Sequence, residues 1–322
     1  MLDPEAERSH KINNLIHTSA MLGGIGAILV ISTALLWGWN GVIVALVWLA
    51  IMSIFAPRLP PEVVARLYKG QLVDPSSGGQ LIQIVDILTE RAGIPRRPSL
   101  YVIPSMTLNA FATGTRDRAA IALTEGLLRR LSIREITAVL AHEVSHIRNN
   151  DLWVMGLADL MSRFTQVLSY LAVFLALING LALLTAGEAT YSWFGIVLLY
   201  LAPAISSLLQ LALSRVREFD ADLEGARLTG DPEGLASALR KVERYTGHFW
   251  EDLMLPVPAR RIPQPSVLRS HPTTDERVAR LQELDPGTAM PPIVIVEQPM
   301  VSLVGLGPIS MRPRYRFPGI WF

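Results

Sequence analysis

Apolar positions along the chain fall into two long blocks and several short periodic runs. From Leu15 to Ala56 the sequence is almost uncharged, long enough for two helices of about 20 residues each. Trp37-Gly38-Trp39-Asn40-Gly41 interrupts this block. Tryptophan favours the membrane–water boundary, so the interruption predicts a hairpin that turns there. The block is too long to be the apolar core of a cleaved signal peptide. A second apolar pair, Phe164 to about Ala186 and Tyr191 to about Leu213, is divided by a short turn containing Gly187 and Glu188. Asp159 and Arg163 precede it, so the third span is expected to continue out of the lipid or against other helices.

The period changes between the blocks. Leu81, Ile84, Ile87 and Leu88 predict an amphipathic helix over Gln80 to Ala92. Leu100 to Ile103, Asn109 to Thr113 and Ala119 to Leu123 read as strands, the last two joined by Gly114-Thr115-Arg116-Asp117. A short helix follows from Thr124. Ser132 and Glu135 then form a capping box, flanked by Leu131 and Ile136. Ile136, Val139, Leu140, Val144 and Ile147 recur at helical spacing, which predicts a helix from Ser132 to about Asn149. Later, Thr274 is expected to cap a helix carrying Arg277, Val278 and Leu281.

Composition narrows the class. Half of the 322 residues are hydrophobic and the net charge is +1, which gives no electrostatic footprint for nucleic acid. Mean hydropathy is +0.35. There is no cysteine, so disulfides and thiolate metal ligands are excluded and any metal must be held by histidine and carboxylate. The basic residues sit on one side of the apolar blocks. Arg8 and Lys11 precede the first span; Arg58, Arg66 and Lys69 follow the second. Arg148 precedes the third; Arg215 and Arg217 follow the fourth; the two turns carry no Lys or Arg. The positive-inside rule therefore places both termini and the helix at 132–149 on the cytoplasmic side.

That helix carries the chemistry. His142-Glu143-Val144-Ser145-His146 is an H-E-x-x-H pentad. Its histidines at i and i+4 share one helix face and can bind one zinc ion, and Glu143 can take a proton from a zinc-bound water. A catalytic zinc needs a third protein ligand. His10 and His17 lie before or within the first span and are poor candidates; His248 and His271 remain. A carboxylate after the fourth span is the stronger choice. In Arg217-Glu218-Phe219-Asp220-Ala221-Asp222, Glu218 and Asp222 sit at i and i+4 on a predicted helix and can point at one site. Glu218 as ligand gives a His2Glu set, and Asp222 could orient a ligand histidine. Asp220 and Glu224 are weaker rivals, because they point to other faces. In Ser270-His271-Pro272, His271 could hydrogen-bond an oxyanion, and Arg277 could pair with Asp222 or another site carboxylate. Asn109, Ala110, Phe111 and Ala112 are the candidate edge strand for binding an extended substrate.

These pieces resemble the HtpX-type membrane metallopeptidases, which are related to the CAAX prenyl proteases. The resemblance rests on Asn109-Ala110-Phe111-Ala112-Thr113-Gly114, the pentad, Arg217 to Asp222, and Ser270-His271-Pro272 with Glu276-Arg277. They occur in the family's order with an apolar pair before the domain and another before the third ligand. The match runs over about residues 10–284. It implies a zinc endopeptidase of the bacterial inner membrane, multi-pass, with its active site facing the cytoplasm, acting in quality control of misfolded or damaged membrane proteins. It implies His142, His146 and Glu218 as ligands of one Zn2+ per subunit and Glu143 as base, with active-site support from Asp222 and His271. Polypeptides and the lipid bilayer are the expected partners.

The expected fold is mainly α with a small β-sheet, an α+β zincin-like catalytic domain, plus about four transmembrane helices in two hairpins. The expected segments are an N-terminal segment and hairpin (1–57), the first part of the catalytic domain (58–163), the second hairpin (164–213), the second part of the domain (214–287) and a tail (288–322). In that tail Ile293 to Val296 could be a strand. Met311 to Phe317 and Trp321-Phe322 mix cations with aromatics, which suits the anionic leaflet or packing on the domain, with a disordered tail as the alternative. Three other functions share much of this pattern: an intramembrane protease, a non-enzymatic zinc-binding scaffold and a prenyl-protein protease. Arg134, Glu135, Arg148 and Asp151 around the pentad argue against the first; an intact Glu143 argues against the second.

Overall fold

Gly38 turns the first apolar block back on itself. The computed structural model describes residues 4–55, 60–74, 79–254, 273–284, 290–293, 315–316 and 320–321. Its first helix, α1 (Pro4–Phe55), is broken at Gly38, where φ is 58° and ψ −140°. Only glycine adopts that conformation readily. A Cβ added at Gly26 would stand 3.5 Å from Leu49, whereas a straight helix would separate those residues by about 34 Å. The two arms of α1 therefore pack side by side. The sequence predicts about four spans; the described residues contain three helices long and apolar enough to cross a membrane, Ile16–Ile54, Asp151–Ala186 and Trp193–Thr229. The difference arises because one glycine makes the first turn without a loop, leaving both arms in a single element.

The following elements are α2 (Pro61–Leu67), β1 (Gln71–Leu72), α3 (Gly79–Ala92), β2 (Ser99–Ile103), β3 (Ala110–Thr115) and β4 (Arg118–Thr124). Then come α4 (Glu125–Arg130), α5 (Ile133–Arg148), α6 (Asp151–Ala186), α7 (Trp193–Thr229), α8 (Pro232–Met254), α9 (Thr274–Gln282), β5 (Tyr315–Arg316) and β6 (Ile320–Trp321). The segment limits expected at 163/164 and 213/214 fall inside α6 and α7, which run unbroken from apolar to polar sequence. The α6–α7 turn is fixed by the Asn179 side chain, which donates to the Tyr191 carbonyl (2.8 Å) and accepts from its N–H (2.9 Å). Gly187 closes α6 at φ 78°.

The sheet has the order β1-β2-β4-β3. β2 and β4 are parallel, whereas β1–β2 and β3–β4 are antiparallel. This leaves β3 on an edge. One sheet face packs with α3 and α5 through Leu81, Ile84, Leu88, Leu100, Ile121, Leu123, Ile136, Leu140 and Val144, each almost fully buried. Burying such a side chain stabilises the fold by about 1.5–3 kcal/mol, so α5 is clamped to the sheet along its apolar stripe. Its start has the expected capping box, Ser132 with Glu135. On α9 the cap is Thr273 rather than Thr274, because Glu276 stands three residues after Thr273 and reaches back to it; the residue three after Thr274 is Arg277, which cannot close such a box.

The tail begins by packing on the domain. Met290 N–H donates to Arg227 O (3.0 Å) and Ile293 N–H to Thr229 O (3.2 Å). Arg91 Nη1 donates to Leu228 O (2.6 Å) and Pro291 O (2.9 Å), tying the segment to the end of α7. Ile293 is not part of a strand, and residues 294–296 of the expected strand lie outside the described residues. Of the cation–aromatic stretch, Tyr315–Arg316 pairs antiparallel with Ile320–Trp321.

Candidate metal centre

With its apolar stripe on the sheet, α5 turns His142, Glu143 and His146 towards a cavity of about 540 Å³. His142 and Glu143 are nevertheless buried. α7 crosses directly over them. A Cβ added at Gly225 would come within 3.0 Å of His142 N and 3.2 Å of its Cα, so the two backbones are nearly in contact there. Glu218 lies two helical turns before Gly225, on the same face of α7. The close crossing therefore delivers its carboxylate to the histidines.

His142 Nε2 and His146 Nε2 are 3.2 Å apart. Glu218 Oε2 lies 3.6 Å from His142 Nε2, and Glu218 Oε1 lies 3.9 Å from His146 Nε2. One ligand atom from each of the three falls within 4.8 Å of the others, a group that could hold a metal ion. Glu224, a rival for the third position, pairs with Arg148, and Asp220 is not part of the group. His271 and its neighbours Ser270 and Pro272 lie outside the described residues.

The outer nitrogens of both histidines meet carboxylates. His146 Nδ1 is 2.9 Å from Asp151 Oδ2. His142 Nδ1 is 3.0 Å from Asp222 Oδ1, close though not aligned as a full hydrogen bond. Asp222 is also gripped by Arg277, whose Nε and Nη2 donate to its two oxygens at 2.6 and 2.5 Å. Arg277 Nη2 also stands 3.5 Å from Glu218 Oε2. Burial would raise the Asp222 carboxyl, but Arg277 and His142 outweigh it and hold it below the usual carboxylate range. Burial likewise opposes a charge on His146, yet the Asp151 hydrogen bond and the charges of Glu143, Asp151 and Glu218 push it up to about 9. Such carboxylate partners favour a proton on each Nδ1, so the Nε2 atoms are the nitrogens that face one another.

That arrangement fits a cation. Two imidazole nitrogens 3.2 Å apart beside a carboxylate favour a positive charge between them, whether a shared proton or a metal ion. Nitrogens bound at about 2.0–2.1 Å in a tetrahedral shell are about 3.3 Å apart. The surrounding negative field, strong enough to favour a proton on a buried imidazole, stabilises a divalent ion for the same reason.

The cavity continues along β3. Leu108, Asn109, Ala110, Phe111 and Ala112 line it together with the pentad, Glu218 and Arg277. Asn109 O accepts from Thr124 N–H at 3.0 Å, so the backbone of Asn109 faces β4. Backbone direction alternates along a strand. Phe111 therefore also faces β4, and the N–H and C=O groups of Ala110 and Ala112 point off the free edge. The side chains of Ala110 and Ala112 pack on the core below the sheet. Phe111 lies on the opposite face against Tyr68, with ring centres 5.2 Å apart.

Residues 75–285 match Peptidase family M48. The chain belongs to this family. Among M48-type relatives, a protein named Protease HtpX homolog from Paraburkholderia phytofirmans is 34% identical over 282 residues, covering 84% of this chain and 97% of its own. Another of that name, from Methylibium petroleiphilum, is 34% identical over 284 residues, covering 85% and 98%. The crystal structure of S. mikatae Ste24p aligns with a TM-score of 0.50 at 21% identity, over 87% of this chain and 67% of that one. This M48 protein is accordingly an HtpX-type membrane metallopeptidase by descent, with apolar helices that suit a bilayer.

The sequence alone did not identify Asp151 or Gly225 as part of this site. Asp151 follows a left-handed turn at Asn150 (φ 57°), and nothing in the residue pattern shows that this turn swings it back onto His146. The close approach at Gly225 depends on how two distant helices cross, which no local period encodes.

Proposed function

We propose that this M48 peptidase is a zinc-dependent endopeptidase. The observation that supports this reading best is the His142–His146–Glu218 group, with a carboxylate behind each histidine and a cavity leading to an open strand edge. When bound, zinc would acidify a water and polarise the scissile carbonyl. Glu143, one residue after His142 and facing the same cavity, takes a proton from the attacking water and delivers it to the leaving amine. Asp222 and Asp151 keep the imidazoles oriented, and Arg277 holds Asp222 in place. The substrate lies extended beside β3, its main chain pairing with Ala110 and Ala112. Recognition through backbone groups suits a peptidase that takes many sequences in unfolded segments. Cleavage of misfolded or damaged membrane proteins is the role that agrees with such a site on a membrane-anchored chain.

We place both arms of α1 and both α6 and α7 across the bilayer as two hairpins, four crossings in all. Their exposed apolar residues include Trp39, Leu177, Leu184 and Phe194. The basic residues beyond them support a site on the cytoplasmic face of a bacterial inner membrane.

Replacing Glu218 with glutamine tests the ligand set. The purified variant is expected to lose zinc and with it chelator-sensitive cleavage of an unfolded protein such as casein. Stoichiometric zinc in the variant would remove Glu218 from the metal centre. No cleavage by zinc-loaded wild type would favour the scaffold reading.

A further inference from the structure

We propose that Thr18, on the first apolar helix, is a positioning residue for His146, acting through Arg217 and Asp151; the inference rests on the metal-centre reading above. Asp151 is 1% exposed and Arg217 6% exposed. Each oxygen of Asp151 has one fixed partner. Oδ2 faces His146 Nδ1 at 2.9 Å, and Oδ1 accepts from Arg217 Nη1 at 2.7 Å. The other end of the same guanidinium, Nη2, donates to the Thr18 hydroxyl, while Nε has no hydrogen-bond partner among the described residues. Three helices thus meet in one chain of contacts: α1 through Thr18, α7 through Arg217 and α6 through Asp151.

The geometry of the guanidinium makes this chain directional. Its nitrogens are locked in one plane, so anchoring Nη2 fixes where Nη1 points. Without the Thr18 hydroxyl, a buried cation would have two of its three nitrogens unpaired. Rotation of the guanidinium to recover a partner would carry Asp151 with it, and Asp151 sets the ring orientation of His146. The metal centre is therefore built partly by the first membrane helix, far away in sequence. Docking of that helix becomes a condition for full metal affinity.

The test uses the full chain in detergent, with Thr18→Val, which keeps the shape and drops the hydroxyl, and Thr18→Ser, which keeps the hydroxyl. Zinc affinity is measured by competition with a chromophoric chelator, at a temperature where the metal-free proteins are folded by circular dichroism. Thr18→Val is expected to bind zinc about tenfold more weakly, the scale seen on losing an outer partner of a metal ligand; Thr18→Ser is expected to bind as wild type. Should Thr18→Val fail to fold, Thr18→Ala serves in its place. A folded variant without the hydroxyl that binds zinc as tightly as wild type overturns the proposal, as does an equal loss in Thr18→Ser. His146→Ala separates the two levels. If it keeps stoichiometric zinc, the metal-centre reading fails. If it loses zinc while Thr18→Val binds normally, only the role of Thr18 fails.

Discussion

Oδ2 of Asp151 and Nδ1 of His146 stand 2.9 Å apart across the turn that joins two helices. The contact occupies His146 Nδ1 and turns Nε2 towards His142 Nε2 and Glu218. A neutral amide in place of this carboxylate could still bond the ring, but it would neither raise the basicity of the imidazole nor add negative charge to the site. Asp151→Asn is expected to lower zinc affinity by about 10–100-fold with the fold retained. Chelator competition on the purified variant measures this, and unchanged affinity would contradict the orienting role.

Gly225 controls the spacing of the site. An added Cβ would stand 3.0–3.3 Å from backbone atoms of Ala141 and His142, and backbone has little freedom to give way. Gly225→Ala is expected to cost about 1–3 kcal/mol of stability and to move Glu218 away from the histidines. Gly225→Val should lose zinc outright. Metal content by mass spectrometry together with thermal unfolding separates the two effects; a Gly225→Val protein with full zinc would show that α7 does not need this close approach.

Glu135 gives the fold an acid-sensitive point away from the metal. It closes the capping box of α5, accepting from Ser132 N–H at 2.8 Å, and holds α8 through Ser237 (2.6 Å) and Lys241 (2.8 Å). Burial raises its carboxyl, but Lys241, Ser237 and Ser132 together bring it below the ordinary value of 4.5. A depressed folded-state pKa means that this contribution is fully present above the unfolded pKa and is lost as pH falls through the folded one. Stability of wild type should therefore decline below about pH 4.5. Glu135→Gln should be less stable at neutral pH and show a shallower decline on acidification. Parallel acid limbs for the two proteins, followed by tryptophan fluorescence, would contradict this.

Much of the architecture was legible where local pattern and tertiary contact agree. The capping box at Ser132, the amphipathic run from Gln80 to Ala92 and the strand pair ending at Leu123 all follow from periods and caps that the core then uses. That His142, His146 and Glu218 come together was legible because metal binding needs those residue types at helical spacing. Other features depend on three-dimensional crossings. The parallel pairing of β2 with β4 puts β3 on the edge, although β3 comes between them in sequence. Thr18 and Arg217 meet across 199 positions of chain. Thr273 rather than Thr274 caps α9 because the box spacing to Glu276 decides it, a spacing that the sequence itself contains.

Glu143 carries the central claim, since it is the acidic residue of the pentad and is not one of the candidate metal ligands. Glu143→Gln keeps the shape of the side chain and removes the carboxylate proposed as base. Zinc content and cleavage of an unfolded protein, measured on the same preparation, test the account most directly. The expected result is about one zinc per chain with proteolysis lost. Stoichiometric zinc with wild-type cleavage would contradict the proposed mechanism.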